Sequence, residues 1–333
     1  MARHRTLRPE SDREDPTRHN LLVRVARLYY LRNLTHQGIA DREGMSRIKV
    51  TRLLQEALQK NIVEFRIKDP KIDTLELEES FQSAFGLRQA IIAPTLQTDA
   101  EVYDVLGRFA ADFLNRHLRA GLSIGIGWGR TLNGMLPYLE RSPYRDLRVV
   151  SLTGGLSAND RQPNPYDVAS AFADRLKAGL HYPLLPAIVE SEQTRKLLMK
   201  EKSIREMLAL WTSIDIALIS IGVIATDTGV YYSFADPTRE AKRVMSLGAV
   251  GDILTSPFDE QGRLVDAGFS RRLIRIPFED LKKIPIVAGI AGGRHKVKAI
   301  LGALRSGYLN TLITDEETAR QVLALATETG GKS

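Results

Sequence analysis

Near the N-terminus the apolar positions recur at helical spacing. Leu21, Leu22, Val25, Leu28 and Tyr29 share one face of a helix expected from about Arg18 to Leu31. Thr35 is placed to cap a short second helix carrying Ile39 and Ala40, Gly44 supplies a permissive turn, and Ser46 caps a third helix. In that third stretch, SRIKVTRLLQEALQ, about 100° per residue brings Leu53, Leu54 and Ala57 round to the side of Val50. Ile48, Arg52, Gln55 and Gln59 point the opposite way. One face packs and the other is left for a partner. Two short helices joined by a tight Gly-containing turn form the helix-turn-helix pattern, which predicts a module over residues 18–68. Its last segment, IVEFRIK, alternates in the manner of a short strand or wing.

The period changes after a Pro-containing linker at 69–74. A helix is expected from Leu75 to Phe85, and strand-like apolar runs then alternate with helical ones. The strands are predicted at Ala90–Ala93, Ser123–Ile126, Arg148–Leu152, Ile214–Ile221, Leu273–Ile276, Ile284–Ile290 and Thr311–Thr314. VYDVLGRFAADFLNRHL and PYDVASAFADRLKAG read as helices between them. Such alternation predicts an α/β domain over 75–330, with a Rossmann-like parallel sheet whose ligands sit beyond the carboxyl ends of its strands.

Charge separates the two parts further. Residues 1–68 hold 15 Lys+Arg against 8 Asp+Glu, while the remaining 265 residues hold 32 of each. The whole excess of +7 is at the front, where a module that neutralises phosphates would carry it. A basic membrane-surface segment would need a broad apolar face bordered by cations, which Leu21–Tyr30 lacks. Residues 1–17, charged and containing Pro9 and Pro16, read as a mobile basic arm. No apolar run reaches the roughly 18 to 20 residues that span a membrane, and the start lacks the apolar core of a signal peptide, so a cytoplasmic protein is expected. With 0 cysteines, disulfides, thiolate metal sites and cysteine nucleophiles are excluded.

Residues able to hold a ligand collect at the predicted strand ends. SIGIGWGRTLNGML puts Gly129, Arg130 and Thr131 at a strand-to-helix turn, where amides, a hydroxyl and a guanidinium suit a phosphorylated sugar. Gly-rich turns also serve tight packing alone. RVVSLTGGLS repeats the arrangement with Thr153, Gly154 and Gly155, and Asn164 shortly afterwards fits either a helix cap or a sugar contact. Asp252 follows Gly251 and is suited to accept from sugar hydroxyls. Gly292 and Gly293 end an apolar strand ahead of Lys296, a combination that reads as an anion site. The six histidines show no metal-ligand spacing, no nucleophile is paired with a base, and no cofactor motif stands out.

The run LLVRVARLYYLRNLTHQGIADREGMSRIKVTRLLQEALQKNIVEFRI resembles the operator-binding domain of the SorC family of sugar-responsive bacterial transcriptional regulators. The Gly-rich segments keep the family's order and spacing through YLNTLITDEETA, so the resemblance covers roughly residues 18–325. It departs at Gly38, where the family carries an acidic residue, and at Ile48, where a polar or small residue is usual. It implies that the large domain is an effector-binding and oligomerisation domain akin to sugar-phosphate isomerases. It also implies that ligands meet the loops at Gly129–Thr131 and Thr153–Gly155, the acid at Asp252 and the lysine at Lys296. Relatives vary at the positions of Arg130 and Thr153, which leaves the sugar open.

The expected protein is therefore not an enzyme but a regulator of carbohydrate or polyol catabolism. It binds palindromic or repeated operator DNA as a dimer or tetramer and answers a phosphorylated sugar or polyol. Thr35, Ser46, Arg47, Ile48, Lys49, Thr51, Arg52 and Gln55 are the candidate DNA contacts. The competing expectation is an isomerase-like enzyme with an appended DNA-binding module, in which Asp252 and Lys296 supply acid and base.

Overall fold

Helix caps and a glycine turn set the geometry of the N-terminal unit. The computed structural model describes residues 16–63, 72–95, 99–156, 164–224 and 236–330. It divides into two units, Met1–Pro70 and Lys71–Ser333. In the first, α1 (Pro16–Ala26) runs on into a wider π-helical turn at Arg27–Leu31, followed by α2 (His36–Glu43) and α3 (Arg47–Gln59). The first helix thus begins two residues before its expected start, and the rest of the predicted arm lies outside the described residues. The Thr35 hydroxyl accepts from the Gly38 N–H at 3.1 Å, and that of Ser46 from the Lys49 N–H at 3.2 Å. Gly44 takes φ +63°, which lets α2 end in a left-handed residue and the chain reverse into α3.

Val50, Leu53, Leu54 and Ala57 of α3 are buried with Leu22 and Val25 of α1 and with Ile39 and Ala40 of α2. Arg18–Glu56 at 2.6 Å and Arg24–Glu43 at 3.0 Å join α1 to the other two helices. Both arginines are more than half exposed, so solvent screens each pair and the apolar seam dominates. Ile62 and Val63 form a bend packed on this seam, not the start of a strand, and residues 64–68 of the predicted wing lie outside the described residues.

The second unit opens with a helix at Ile72–Phe85, three residues earlier than its apolar pattern suggests, and among the described residues it is built on nine strands. These are β1 (Gln89–Ala93), β2 (Ser123–Ile126), β3 (Arg148–Ser151), β4 (Gly179–His181), β5 (Ile216–Gly222), β6 (Ala249–Ile253), β7 (Ser256–Asp259), β8 (Ile286–Ile290) and β9 (Thr311–Asp315). Seven run parallel in the order β1-β9-β8-β5-β2-β3-β4, and the β6–β7 hairpin adds antiparallel to the end of β5. Burial on both faces explains the nearly unbroken apolar strands. In β5, Ala217, Ile219 and Ile221 pack towards the helices Ile72–Phe85 and Val297–Arg305, while Ile216 and Leu218 pack towards Asp99–His117 and Pro165–Leu176.

The predicted strand at Leu273–Ile276 is not one. Leu273 and Arg275 make only isolated bridges, to Ile188 and Thr153, and the apolar residues of the segment are buried among connecting loops. Short β4 and the β6–β7 hairpin are additions to the predicted set. Chain direction within the sheet then locates the site. From β2 the chain moves to β3 on one side, whereas β5 borders β2 on the other and leads on to β8. The sequence reverses its lateral direction between β2 and β5, and a parallel sheet opens a crevice beyond the carboxyl ends of strands at such a point.

Candidate functional site

The cleft at that point holds about 660 Å³ of free space, the open solvent at its mouth included. Its walls include Tyr103, Trp128, Gly129, Arg130, Thr131, residues 219–223, Asp252, Leu254 and Lys296. The β2-to-helix turn places Gly129 at φ +133° ahead of the short helix Arg130–Asn133. Arg130 is exposed at the mouth, its guanidinium 4.8 Å from the centre of the Tyr103 ring. Lys296 is buried and 5.8 Å from the same ring; its ammonium donates to the Ile221 carbonyl at 2.9 Å. The ring face favours both cations.

Asp252 reaches the cleft from β6, whose backbone pairs with Gly222 at the end of β5. A Cβ at Gly222 would overlap Asp252 Oδ1 and stand 3.0 Å from its Cγ, so this glycine makes the room the carboxylate occupies. Loss of hydration pushes the Asp252 pKa up from 3.8 to about 6, against the opposing pull of the Thr255 N–H and of the Lys296 charge. The Thr255 N–H donates to Oδ2 at 3.2 Å.

Leu254 and Thr255 form the two-residue turn between β6 and β7, at φ +48° and +65°. Such turns ordinarily take Asn or Gly, so this backbone is held by its surroundings. Part of that hold comes from Arg275, which donates to Ser256 Oγ at 2.6 Å and stacks 3.9 Å from the centre of the Phe278 ring. Burial lowers its pKa to about 10.

The expected ligand residues do not all meet. Gly129, Arg130, Thr131, Asp252 and Lys296 share the cleft. Thr153, Gly155 and Asn164 line a second concavity beyond β3, with Tyr166 and Tyr182. There the Thr153 hydroxyl donates to the Ile274 carbonyl at 3.2 Å, and Asn164 caps the helix Pro165–Leu176 by accepting from the Tyr166 N–H at 3.0 Å. Gly154 is a packing position, since a Cβ there would stand 2.6 Å from the Leu185 carbonyl oxygen.

Gly292 and Gly293 line neither concavity, and the anion site read from them needs correcting. The Gly293 amide donates to Asp315 Oδ2 at 2.9 Å and to Thr318 Oγ1 at 2.8 Å, while Gly292 packs against Leu106 and Val102. Tyr103, Trp128, Ser220, Gly222 and Leu254 are cleft residues that the sequence reading passed over. Only Ser220 carried a signal, as the one polar side chain in the run IALISIG.

On α3, Ser46, Arg47, Ile48, Lys49, Arg52 and Gln55 are exposed, with Ile48 at 67%. Thr51 turns inward by comparison: its hydroxyl donates to the Arg47 carbonyl at 3.2 Å and lies 3.4 Å from His36 Nδ1. Thr35 and Ser46 use a lone pair for capping and keep their hydroxyl protons. Among the described residues, Arg47, Lys49 and Arg52 form no ion pair, whereas Arg18 and Arg24 are matched with Glu56 and Glu43. The uncompensated charge of the helical core thus includes the exposed face of α3.

A family model described as "Putative sugar-binding domain" matches residues 69–324. The sorbitol operon regulator of Klebsiella pneumoniae is 30% identical over 306 residues, covering 91% of this chain and 97% of that protein. The crystal structure of the full-length sorbitol operon regulator SorC from Klebsiella pneumoniae has a TM-score of 0.70 at 30% identity, over 91% of this chain and 98% of that one. The chain belongs to the SorC family of transcriptional regulators. Another relative, the deoxyribonucleoside regulator of Bacillus subtilis, is 28% identical over 311 residues, 93% of this chain and 99% of that protein. The α2–α3 arrangement fits a helix-turn-helix, and the switch-point cleft lies within the residues matched by the sugar-binding-domain model. Among the described residues, no helix is long and apolar enough to cross a membrane.

Proposed function

We propose that this regulator governs a carbohydrate or polyol catabolic operon, binding its operator through α3 and answering a phosphorylated sugar or polyol held in the switch-point cleft. The observation that carries the reading is the cleft's chemistry. It joins a cation at the mouth, a buried lysine and a desolvated carboxylate to the ring of Tyr103 and the neighbouring Trp128. Cations suit a phosphate, Asp252 suits hydroxyl donors, and the rings suit the C–H faces of a sugar. The relatives are named for sorbitol and deoxyribonucleoside regulation, which matches a polyol- or sugar-derived effector.

At the DNA, Arg47, Lys49 and Arg52 meet phosphates or guanine edges, Gln55 reads an adenine edge, and Ile48 touches a thymine methyl. Thr35 and Ser46 offer hydroxyl donors to the backbone. Two or four copies present paired recognition helices to a symmetric or repeated site. The effector shifts the equilibrium between subunit arrangements by its difference in affinity for them.

The test is binding of the full-length protein to DNA from its own upstream region at fixed salt. It is run alone and with sorbitol 6-phosphate, fructose 6-phosphate, ribose 5-phosphate and 2-deoxyribose 5-phosphate. A change in DNA affinity with one or more of these supports the reading. Specific DNA binding indifferent to all four removes the phosphorylated-sugar assignment, and turnover of any of them by the protein favours the isomerase-like alternative.

A further inference from the structure

Three buried hydroxyls among the described residues have no hydrogen-bond partner: those of Ser123, Ser220 and Thr314. Only Ser220 lines the cleft. An unmet buried hydroxyl costs stability, and alanine at the same place would not carry that cost. Its setting points to a use. On β5, Ser220 alternates with Ile219 and Ile221, which pack into the opposite layer, so its side chain is turned towards the β2 turn. Gly129 lies directly over it: a Cβ on Gly129 would stand 2.9 Å from Ser220 Oγ. The absence of a side chain on Gly129 is what allows the hydroxyl to sit beneath this turn at the cleft wall.

Resting on the effector reading above, we propose that Ser220 is a specificity-determining contact. It exchanges a hydrogen bond with a free hydroxyl of the effector's carbon chain, while the phosphate faces outward to Arg130. Asp252 and the exposed Arg130 favour this polarity, while Lys296 offsets part of the carboxylate's charge. A phosphate on the floor would stand beside the Asp252 carboxylate, whereas a hydroxyl can donate to that carboxylate and pair with Ser220 as well. Arg130, exposed at the mouth, provides planar donors that a phosphate can engage in pairs. The effector class is therefore a sugar or polyol phosphate whose end remote from the phosphate carries hydroxyls, and a chain lacking the matching hydroxyl leaves Ser220 orphaned.

The experiment titrates full-length wild type and Ser220→Ala with the four phosphates by calorimetry and measures thermal melting of both proteins without ligand. For the phosphate that binds wild type, Ser220→Ala should weaken affinity about tenfold or more while the ligand-free protein melts at the same temperature or higher. Unchanged affinity overturns the proposal. So does a lowered melting temperature of the free variant, with or without weaker binding, because it assigns the hydroxyl to the fold. Failure of all four to bind wild type removes the effector reading and this inference together. Wild-type binding that Ser220→Ala leaves intact removes this inference alone.

Discussion

Asp252→Asn should make the free protein more stable at neutral pH. The carboxylate titrates at about 6 in place of an ordinary 3.8, so the fold favours its neutral form. A raised folded-state value means that the group's contribution is most favourable below the unfolded pKa and is lost as pH rises through the folded one. The rise to about 6 corresponds to a penalty of about 3 kcal/mol at pH 7.5 and roughly half that at pH 5. Asparagine keeps the shape and can still accept from the Thr255 N–H without carrying the charge. Urea unfolding followed by tryptophan fluorescence reports this unit, since both tryptophans, Trp128 and Trp211, belong to it. The variant should gain about 3 kcal/mol over wild type at pH 7.5, with the gain shrinking towards pH 5. Equal stability at pH 7.5, or a gain indifferent to pH, would refute the claim that the ionised carboxylate is held there at a cost. The same variant should bind the effector more weakly, because one amide oxygen replaces two anionic acceptors.

Other consequences follow from the same geometry. Arg52→Ala should weaken specific DNA binding; if its partner is a phosphate, the slope of log affinity against log salt falls by about one, and unchanged binding would remove Arg52 from the interface. Gly222→Ala should lower the melting temperature and abolish the effector response, because its Cβ would take the space of the Asp252 carboxylate. Lys296→Ala should depress effector affinity while leaving effector-free operator binding nearly intact, measured by the same DNA titration. Ser46→Ala should cost the N-terminal unit about 1 kcal/mol through the lost cap on α3, seen in its urea unfolding by circular dichroism.

What could be read from the sequence was what local pattern controls. The seam of Val50, Leu53, Leu54 and Ala57 follows from a 3.6-residue period, and the apolar runs of β2, β3 and β5 follow from burial on both faces. The β6–β7 hairpin did not announce itself because its turn, Leu254–Thr255, uses residues without intrinsic preference for positive φ. The segment Leu273–Ile276 misled for the opposite reason. Its apolar residues are buried as a strand's would be, but in the loop layer, where bridges to Thr153 and Ile188 replace a ladder. Gly293 resembles an anion-binding amide in sequence, yet Asp315 and Thr318, 22 and 25 residues further on, already take its proton. No local pattern encodes a partner at that distance.

The cleft's polar groups depend on absent side chains as much as on present ones. Gly222 vacates the volume filled by the Asp252 carboxylate, and Gly129 leaves clearance above the Ser220 hydroxyl. In each pair a glycine from one strand end faces a polar side chain from another, and the backbone can come closer than any Cβ would permit. This divides the labour within the site. The glycines set how near the backbone lies to a ligand, while Arg130, Ser220 and Lys296 set what the ligand must carry. Substitutions in the second group should alter which effector is chosen with little change in fold, whereas those at Gly129 and Gly222 should damage stability and response together. Combining Gly129→Ala with Ser220→Ala isolates the hydroxyl's part, because removing it relieves the 2.9 Å contact but neither the 3.1 Å approach to the Ser220 Cβ nor the strain of alanine at φ +133°. Melting of the double variant should therefore recover part of the loss seen in Gly129→Ala, with the effector response still absent. Full recovery of stability would mean that contact, not backbone conformation, is what requires glycine at this turn.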